Sequence, residues 1–402
     1  LSGNGVITID AANMTEGAAP IVGNASNFTG TIELINNTKD LSVSIVNGKI
    51  MLLAPVAQVG DQKFATLAAA IDAVEEGQTI TLIENVNVTT PAYGQNALNH
   101  GYKGAQYPWE ADTSGEECTP VWALTGTYEH HITADVGIAM WQYYCVTQDK
   151  EWLEQTAWPV LRSVAEFWVS RVQGNSDGSY SIINVVGADE YAENVDDNAF
   201  TNGAAKRVLN NVYRAAQVLG HKADPRWKEV ADGLVFTHNA EGVTMEYTGY
   251  SGQTIKQTDV NMLAYPLGVV TDPEQILRDI NYYFDRIDPN GPAMSNAIIA
   301  VLHARLGDPE TAFKVFKKSY TDKLRPPFGV LSENANNSRV SFATGLGGIL
   351  QSVIFGFAGI EITEDGIIQL PTKLPAHWKS LTVTGVGVEK ATYKVENPGF
   401  MK

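Results

Sequence analysis

Helical periodicity through the middle of the chain most limits what this sequence can fold into. Apolar residues that recur every three or four positions line one side of a helix and must be buried against another element. Segments with this spacing cover residues 121–147, 151–172, 198–219, 224–234, 273–286, 293–306, 309–320 and 343–357. Loops rich in Gly, Pro, Asn and Asp separate them. Residues 97–360 are therefore predicted to form one multi-helix domain. Five tryptophans fall within these patterns and are expected to lie mostly in the core, and they are Trp122, Trp141, Trp152, Trp158 and Trp168.

The first 90 residues differ from this domain in composition and in pattern. They contain no Trp, Cys or His, and apolar residues alternate with polar ones at 6–9, 31–35, 41–46 and 49–53. Such alternation is typical of strands, and Asn47-Gly48 between the last two runs predicts a tight hairpin turn. Residues 1–54 are therefore predicted to form a β-rich segment, either a β-solenoid rung or a small sandwich.

Residues 55–90 predict a second small unit with the order strand–helix–strand. The helix is expected at 68–74, Gly77 ends it, and 78–83 has the pattern of a strand. This order is similar to units of large bacterial cell-surface proteins, which implies an extracellular or cell-surface location. A cytoplasmic location is expected instead if the N-terminal segment comes from a gene fusion.

Residues 361–402 return to a strand pattern. Alternating runs stand at 367–370 and 381–384, with Pro371 and Pro375 between them. Two or three strands are too few for an independent sheet. We therefore expect this segment to be the start of a C-terminal β-sheet unit.

The net charge of the chain limits the classes of partner that it is expected to bind. It has 28 Lys and Arg against 45 Asp and Glu, a formal net charge of −17. A chain this acidic repels phosphate groups, which disfavours nucleic acid and anionic membrane surfaces as partners. No apolar run reaches the roughly 18 residues of a membrane-spanning helix, so no membrane insertion is expected. A neutral substrate is the expected partner.

Neither a metal nor a cofactor is expected. The chain has two cysteines, Cys118 and Cys145, and neither has a Cys or His at metal-ligand spacing. Both are expected to be buried, unreactive thiols, and a disulfide between them stays open as an alternative.

The densest group of acids lies on a loop between an apolar run at 182–186 and a helical pattern at 204–219. Five carboxylates fall within nine positions, and they are Asp189, Glu190, Glu193, Asp196 and Asp197. Crowding and loss of water raise the pKa of such groups, so one of them can act as a general acid near neutral pH. A solvated acidic loop is the alternative. A calcium loop is disfavoured because the regular oxygen-ligand spacing is absent.

Six motifs in order resemble segments of glycoside hydrolase family 65, which contains α-glucoside phosphorylases and α-glucosidases such as acid trehalases. They stand at 101–117, 129–135, 189–194, 256–260, 288–294 and 344–351. The resemblance covers roughly 97–395 and implies an (α/α)6 barrel. The predicted helices are fewer than the six pairs of a complete barrel, and the Trp-Asp segment of the family has no match upstream. We therefore expect a multidomain, mainly α chain with a partial barrel, truncated on its N-terminal side.

The resemblance also implies a catalytic pair. Inverting glycosidases use an acid and a base whose carboxyl groups lie roughly 6.5–9.5 Å apart. The position that matches the general acid of the family is Glu190, with Asp189 and Glu193 as alternatives. The segment 328–335 resembles the hydrolase branch, in which Glu333 is the base. The polar loop after Glu333 has no cluster of Ser and His to hold phosphate, so hydrolysis is expected over phosphorolysis.

Six further residues are candidates for binding the sugar, and they are Trp109, Glu110, His131, Tyr191, Lys256 and Gln257. Trp109 offers a platform and Glu110 an acceptor, while His131, Lys256 and Gln257 offer hydrogen bonds to hydroxyl groups. The alternatives are that Trp109 and His131 are ordinary core residues and that Lys256 and Gln257 lie on a solvated loop.

The expected function is inverting hydrolysis of an α-glucosidic bond in a glucose disaccharide or glucosyl conjugate. Such a neutral oligosaccharide or glucosyl conjugate is the expected partner. Two other functions stay open. One is an inactive or weakly active fusion that binds carbohydrate at a surface, and the other is a phosphate-dependent α-glucoside phosphorylase. The sequence leaves a homodimer open as well.

Overall fold

The structure is a computed structural model of the chain. It describes residues 91–400 apart from 112, 114, 337 and 338. Within the first 90 residues it describes 2–12, 14, 21–22, 25, 27–38, 41–46, 49–53, 55, 57–64, 70, 73–74 and 78–83. The chain divides into two compact units, Leu1–Val88 and Thr89–Lys402.

The first unit begins with two pairs of parallel strands. Strands β1 (Ser2–Gly3) and β2 (Val6–Asp10) pair with β3 (Asn27–Phe28) and β4 (Thr31–Ile35), so that each residue pairs with the one 25 positions later. Parallel pairing of one turn of chain on the next is the arrangement of a β-solenoid, whereas sandwiches are built from antiparallel strands. Of the two predicted alternatives, this pairing favours the solenoid.

An antiparallel hairpin and a small sheet complete the described part of the first unit. Strands β5 (Ser42–Val46) and β6 (Lys49–Leu53) form the predicted hairpin, and its Asn47-Gly48 turn lies outside the described residues. Strands β7 (Ala57–Val59), β8 (Gln62–Phe64) and β9 (Ile80–Leu82) form an antiparallel sheet in the order β8-β7-β9. The predicted helix at 68–74 and its end at Gly77 lie mostly or wholly outside the described residues.

The second unit is mainly helical. Its helices are α1 (Pro91–Asn99), α2 (Thr125–Tyr128), α3 (His131–Thr147), α4 (Lys150–Trp152), α5 (Trp158–Arg171), α6 (Ala199–Leu219), α7 (Pro225–Gly233), α8 (Pro273–Tyr283), α9 (Ser295–Arg305), α10 (Pro309–Lys318) and α11 (Ala343–Gln351). A π-helical turn at Leu153–Ala157 joins α4 to α5, and another at Ser352–Phe357 extends α11. A helix is present within each segment predicted for this unit, but 121–147 is helical only from Thr125 and is interrupted at 129–130; α1 was not predicted.

Local chemistry sets where several helices start. Helices α7, α8 and α10 each begin with an Asp-Pro pair, in which the Asp side chain accepts a backbone N–H of the first turn. The Pro that follows has a backbone angle suited to the first helical position, where no N–H is needed. Helix α6 starts in the same way at Asn198, whose Oδ1 accepts the Thr201 N–H at 2.8 Å. Gly220 ends α6 in the left-handed region, at φ 75°.

Helix α6 is the centre of the main core and packs against α3, α5 and α7. Its small and branched residues are fully buried, for example Ala204, Val208 and Val212. On α3, Gly137 permits close approach, because a Cβ there would lie 2.5 Å from Val208 Cγ2. A second core forms around α9 and α10. This packing fixes the helix ends from which the loops of the candidate site project.

Short strands complete the second unit. Hairpins β10 (Gln173–Gly174) with β11 (Tyr180–Ser181) and β12 (Leu324–Arg325) with β13 (Val330–Leu331) lie between helices. After α11, β14 (Ile360–Thr363) pairs with β15 (Gly366–Gln369), and β16 (Ser380–Val386) pairs with β17 (Ala391–Glu396). The prediction of two or three strands in this segment was wrong by count, since four are present among its described residues.

Two predictions of burial were wrong. Trp122 was predicted to lie in the core with the other helical tryptophans, but it is 82% exposed, whereas Trp141 and Trp168 are buried. Cys118 is exposed and only Cys145 is buried, and neither of these two cysteines forms a disulfide. Trp122 and Cys118 lie on the irregular segment before α2, where no helical face directs side chains inward.

Candidate active site

Two of the five acids in the loop before α6 brace the loop itself. Asp197 accepts hydrogen bonds from the Ser181 hydroxyl at 3.1 Å and from the Ile182 N–H at 3.2 Å. Asp196 accepts one from the Asn184 N–H at 2.9 Å. Because these acids hold the loop in shape, the candidates for chemistry are the acids that precede them.

Asp189 is buried and ties the loop to a neighbouring segment. Its Oδ1 accepts the N–H of Lys256 at 2.6 Å and the N–H of Tyr191 at 3.2 Å. Burial raises the pKa of Asp189, while these two hydrogen bonds oppose the rise. The backbone of Glu190, which lies between Asp189 and Tyr191, is therefore held on both sides.

The predicted acid, Glu190, forms an ion pair with Lys256. Glu190 Oε2 lies 2.8 Å from Lys256 Nζ, and the two side chains are 27% and 25% exposed. Both charged groups are therefore reachable from solvent although their backbones are fixed. Glu193, an alternative acid on the same loop, is exposed. The structure thus brings together two residues predicted from separate motifs.

His131 lies between two carboxylates at the start of α3. Its Nδ1 is 2.8 Å from Asp135 Oδ2, and its Nε2 is 2.9 Å from Glu129 Oε1. Burial disfavours the imidazolium, but the two carboxylates outweigh this effect and raise the pKa of His131 to about 10. Since both ring nitrogens are occupied, His131 is bonded as a core residue. A bond from its ring to a sugar requires one of these contacts to open.

Glu129 is a second acid beside the Glu190–Lys256 pair. Burial raises the pKa of Glu129 to about 7, and His131 works against the rise. The Glu190 charge adds to the rise and the Lys256 charge opposes it. The site therefore contains a buried acid that titrates near neutral pH, which the sequence reasoning included in a motif without assigning it a role.

Trp109 packs at the edge of this group. Its ring meets His131 edge to face, with centroids 5.4 Å apart. The N–H groups of Trp109 and Glu110 donate to the Glu117 carboxylate at 2.6 and 3.2 Å, which orders the loop. Trp109 is partly exposed and Glu110 is exposed. The predicted sugar platform therefore lies beside His131, and the Glu110 side chain points toward solvent.

Gln257 was predicted to donate to a sugar hydroxyl, but it is buried and bonds within the protein. Its Nε2 donates to the carbonyl of Ala188, the residue before Asp189. Its Oε1 has no hydrogen-bond partner among the described residues. Gln257 therefore holds the acidic loop in place next to the residue that carries the predicted acid.

Glu333, the predicted base, follows β13. Its carbonyl accepts the Ala293 N–H at 2.7 Å, and its own N–H donates to the Arg339 carbonyl at 3.0 Å. The Glu333 carboxylate is 22% exposed and lies 3.5 Å from the Arg339 guanidinium. The Arg339 side chain is 81% exposed, so solvent screens this ion pair. The Glu333 carboxylate is therefore half-buried and reachable from solvent, as is that of Glu190.

Segment 288–293 links the two predicted catalytic loops. The Tyr191 hydroxyl donates to Asp288 Oδ2 at 2.9 Å. At Gly291 the backbone lies so close to the Lys256 carbonyl that a Cβ there would collide with it. The same segment ends at the residue that donates to the Glu333 carbonyl. The loops that carry the predicted acid and base are therefore neighbours of one common segment.

Two more carboxylates are buried behind Asp189. Asp259 accepts hydrogen bonds from Asn198 Nδ2 at 2.9 Å and from the Phe200 N–H at 3.2 Å. Glu246 is fully buried. The sequence reasoning gave neither of them a role. Asp259 lies within the motif at 256–260, so the family resemblance could have singled it out. No local pattern marks Glu246.

A cavity of about 370 Å³ lies behind His131. Asp135, which bonds His131, and Phe200, whose ring is 4.8 Å from the His131 ring, both line it. Arg207 and Gln351 lie elsewhere on its wall. Neither predicted catalytic glutamate lines this cavity, so it does not bring Glu190 and Glu333 together.

The part of the chain that the structure describes contains neither a metal-binding group nor a membrane-spanning helix. There, no group of three or more His, Cys, Asp or Glu side chains is arranged to hold a metal ion. Likewise, none of the described helices is both long enough and apolar enough to cross a bilayer.

Comparison with known proteins gives both sequence and structural matches. Residues 85–252 match the profile described as the glycosyl hydrolase family 65 central catalytic domain. A kojibiose hydrolase of Mucilaginibacter mallensis is 50% identical over 79% of this chain and 47% of its own length. A periplasmic acid trehalase of Saccharomyces cerevisiae is 34% identical over 69% of this chain and 24% of its own length.

A solved structure from the human microbiome, assigned as a kojibiose phosphorylase, superposes with a TM-score of 0.64 at 19% identity. The match covers 77% of this chain and 51% of that chain, and at this identity it establishes a shared fold alone. The chain spans about half the length, or less, of these relatives. Because residues 85–252 match the family profile, this part of the chain belongs to the central catalytic domain of glycosyl hydrolase family 65.

Proposed function

We propose that this chain hydrolyses the α-glucosidic bond of a glucose disaccharide or glucosyl conjugate with inversion, on a partial (α/α)6 barrel. Sequence identity of 50% to a kojibiose hydrolase supports hydrolysis and makes kojibiose the first substrate to test. The helical unit and its likeness to a phosphorylase structure support the barrel. The single observation that carries the proposal is the half-buried Glu190 carboxylate, held by Lys256 on a loop that Asp189 anchors.

Glu190 acts in this proposal as the general acid. A general acid must be fixed within hydrogen-bond reach of the leaving oxygen, and it must carry a proton when the bond breaks. The Asp189 contacts supply the fixed position. Lys256 Nζ pairs with the Glu190 carboxylate, and a sugar hydroxyl that accepts a hydrogen bond from Lys256 Nζ would compete with this ion pair. Trp109 then offers the face on which the sugar ring stacks.

Glu333 acts as the general base. In an inverting enzyme, the base activates water on the face of the sugar opposite the acid. Its carboxylate is accessible, and its loop joins the segment that also contacts Tyr191 and Lys256. These contacts support a placement of Glu333 across the site from Glu190.

Phosphorolysis is the second candidate, since the fold is shared with a structure assigned as a phosphorylase. Phosphate needs several hydrogen-bond donors at the place where water attacks. Asn334, Ala335 and Asn336 follow Glu333 directly, and the Asn336 amide already donates to Asn290 Oδ1 at 2.6 Å. The Arg339 guanidinium, 3.5 Å from the Glu333 carboxylate, is a donor that phosphate could use. The 50% identity to a kojibiose hydrolase therefore carries the preference for water over phosphate.

The proposed location is extracellular. The β-solenoid pairing of the first unit is typical of surface proteins, and the trehalase among the relatives is described as periplasmic. A non-catalytic role in carbohydrate binding at a surface is the alternative that these same observations allow.

Product analysis separates these functions. Purified chain is incubated with kojibiose, trehalose, nigerose or maltose, with and without phosphate, and both glucose and glucose 1-phosphate are measured. We expect glucose from an α-glucoside at a rate independent of phosphate. Phosphate-dependent glucose 1-phosphate would replace the hydrolase by the phosphorylase, and sugar binding without any product would leave a binding protein.

A further inference from the structure

Glu246 has an environment that a carboxylate does not tolerate. It lies in the segment between α7 and α8 and is 0% exposed. Its backbone carbonyl is engaged by the Ala199 N–H at 2.7 Å and by Asn198 Nδ2 at 3.3 Å. Its two side-chain oxygens, in contrast, receive no N–H or O–H donor in the described part of the chain. A buried carboxylate without a donor or a cation costs several kcal/mol or more, so the group is expected to be neutral.

The polar groups that face Glu246 are themselves acids. Its side chain lies close enough to Asp189 for a hydrogen bond once one of the two carboxyl groups carries a proton, and the charge of Asp259 also acts on it. A negative charge on Glu246 would raise the pKa of three nearby tyrosines, Tyr247, Tyr250 and Tyr283. None of these side chains can supply a positive charge to balance it. Two carboxyl groups in contact cannot both be ionised and must share a proton.

The proton belongs to Glu246 and not to Asp189. Asp189 Oδ1 accepts two backbone N–H groups, which stabilise its charged form. Glu246 has no such donor among the described residues, so protonation costs it nothing in lost hydrogen bonds. Once protonated, Glu246 also becomes a further donor to Asp189, in addition to the two backbone N–H groups.

We propose that Glu246 is an uncharged positioning residue that donates its carboxyl hydrogen to Asp189 and so holds the Asp189–Glu190 segment against Lys256. The raised pKa of Glu246, caused by burial and then by Asp259 and Asp189, agrees with this assignment. The protonation does not depend on what the chain catalyses. Its consequence for turnover rests on the proposed function.

Infrared spectroscopy tests the protonation directly. Chain labelled with ¹³C-glutamate is measured at about pH 8, where ordinary glutamates are ionised. We expect a protonated-carboxyl band that shifts with the label, disappears in Glu246→Gln and persists in Glu241→Gln, whose side chain is exposed in the same segment. Absence of such a band from the unmutated chain, or its survival in Glu246→Gln, would overturn the assignment.

Kinetics test the positioning. The amide introduced by Glu246→Gln can still donate to Asp189, whereas Met has a similar volume and no donor. If the chain is active, Glu246→Gln should keep kcat within about threefold, and Glu246→Met should lose about 10²-fold in kcat with little change in KM, because Glu190 is displaced by about 1 Å. Equal activity of the two variants would contradict a positioning role. The infrared result does not depend on hydrolysis. Failure of the proposed function can therefore be distinguished from failure of the Glu246 assignment.

Discussion

His131, Glu129 and Asp189, which lie near Glu190, owe their shifted pKa values to burial and to a few neighbouring groups. His131 is held as a cation by Glu129 and Asp135, while Glu129 has a pKa of about 7 because it is buried. Asp189 keeps two backbone donors on one oxygen. This arrangement leaves Glu190 as the acid that is both fixed at its backbone and open to solvent at its carboxylate.

Replacement of Glu190 by Gln tests the assignment of the acid. Gln cannot protonate a poor leaving group, so hydrolysis of natural disaccharides should fall by about 10²–10⁴-fold or more. Glu193→Gln is the matched control, since this exposed acid lies on the same loop and should leave kcat within about twofold. Glucose release from kojibiose measures both. Loss of activity in the control alone would move the acid to Glu193.

The His131 cluster predicts a pH dependence of stability. The folded-state pKa of about 10 is above the unfolded value of about 6.5, so the stabilisation is complete below pH 6.5 and is lost as pH rises toward 10. Burial of His131 and its two carboxylate partners reduces this contribution to the free energy of unfolding, which we expect to be on the order of a few kcal/mol. Urea unfolding of the unmutated chain and of His131→Asn, at several pH values across this window, measures it. A difference in unfolding free energy that grows with pH would contradict the ion pair.

At the scale of elements, the site depends on loops that are anchored to closely packed helices. Helix α3 carries His131 at its first residue, and its Gly137 lies against α6. Helix α6 starts at Asn198, whose amide also reaches Asp259. The distance between α3 and α6 therefore helps to set the position of the charged groups beside Glu190.

Two Gly-to-Ala substitutions test this packing. At Gly137 the added methyl group meets Val208 in the core, so Gly137→Ala should lose about 1–3 kcal/mol of unfolding free energy. At Gly347, in α11, nothing lies within 4 Å of the added methyl group, so Gly347→Ala should gain up to about 1 kcal/mol from helix propensity alone. Chemical unfolding monitored by circular dichroism measures both, and equal effects would show that the α3–α6 contact is not tight.

Sequence reasoning predicted the helices because their signals are local. Apolar periodicity and Asp-Pro starts depend on neighbouring residues, and the observed bounds of α6 and α10 lie within a few positions of the prediction. Helix α1 was missed because its short sequence, with Gly94 inside, has little periodicity. The exposure of Trp122 was also missed, since burial depends on which elements come together.

The candidate site was predictable in part for a related reason. Glu190, Lys256 and Glu333 stand in motifs, so the resemblance located them, and the structure pairs the first two. The buried contacts of Gln257 and the role of Glu246 join segments far apart in the chain. No local pattern encodes such contacts.

At the scale of the whole molecule, a β-rich unit precedes a helical unit that matches part of a glycosidase family. The chain spans 47% of the length of its kojibiose hydrolase relative. The candidate acid, its partner lysine and the candidate base nevertheless all lie within the helical unit. If these groups suffice, the chain has its own hydrolytic activity, and that is the central claim to be tested.

The anomeric form of the first product tests this claim most directly. Kojibiose is mixed with the chain, and proton NMR spectra are recorded before mutarotation equalises the two forms of glucose. We predict that β-glucose appears first from the non-reducing unit and that Glu333→Gln, which loses the base, releases none. Initial release of α-glucose, or unchanged release by Glu333→Gln, would contradict an inverting mechanism with Glu190 as acid and Glu333 as base.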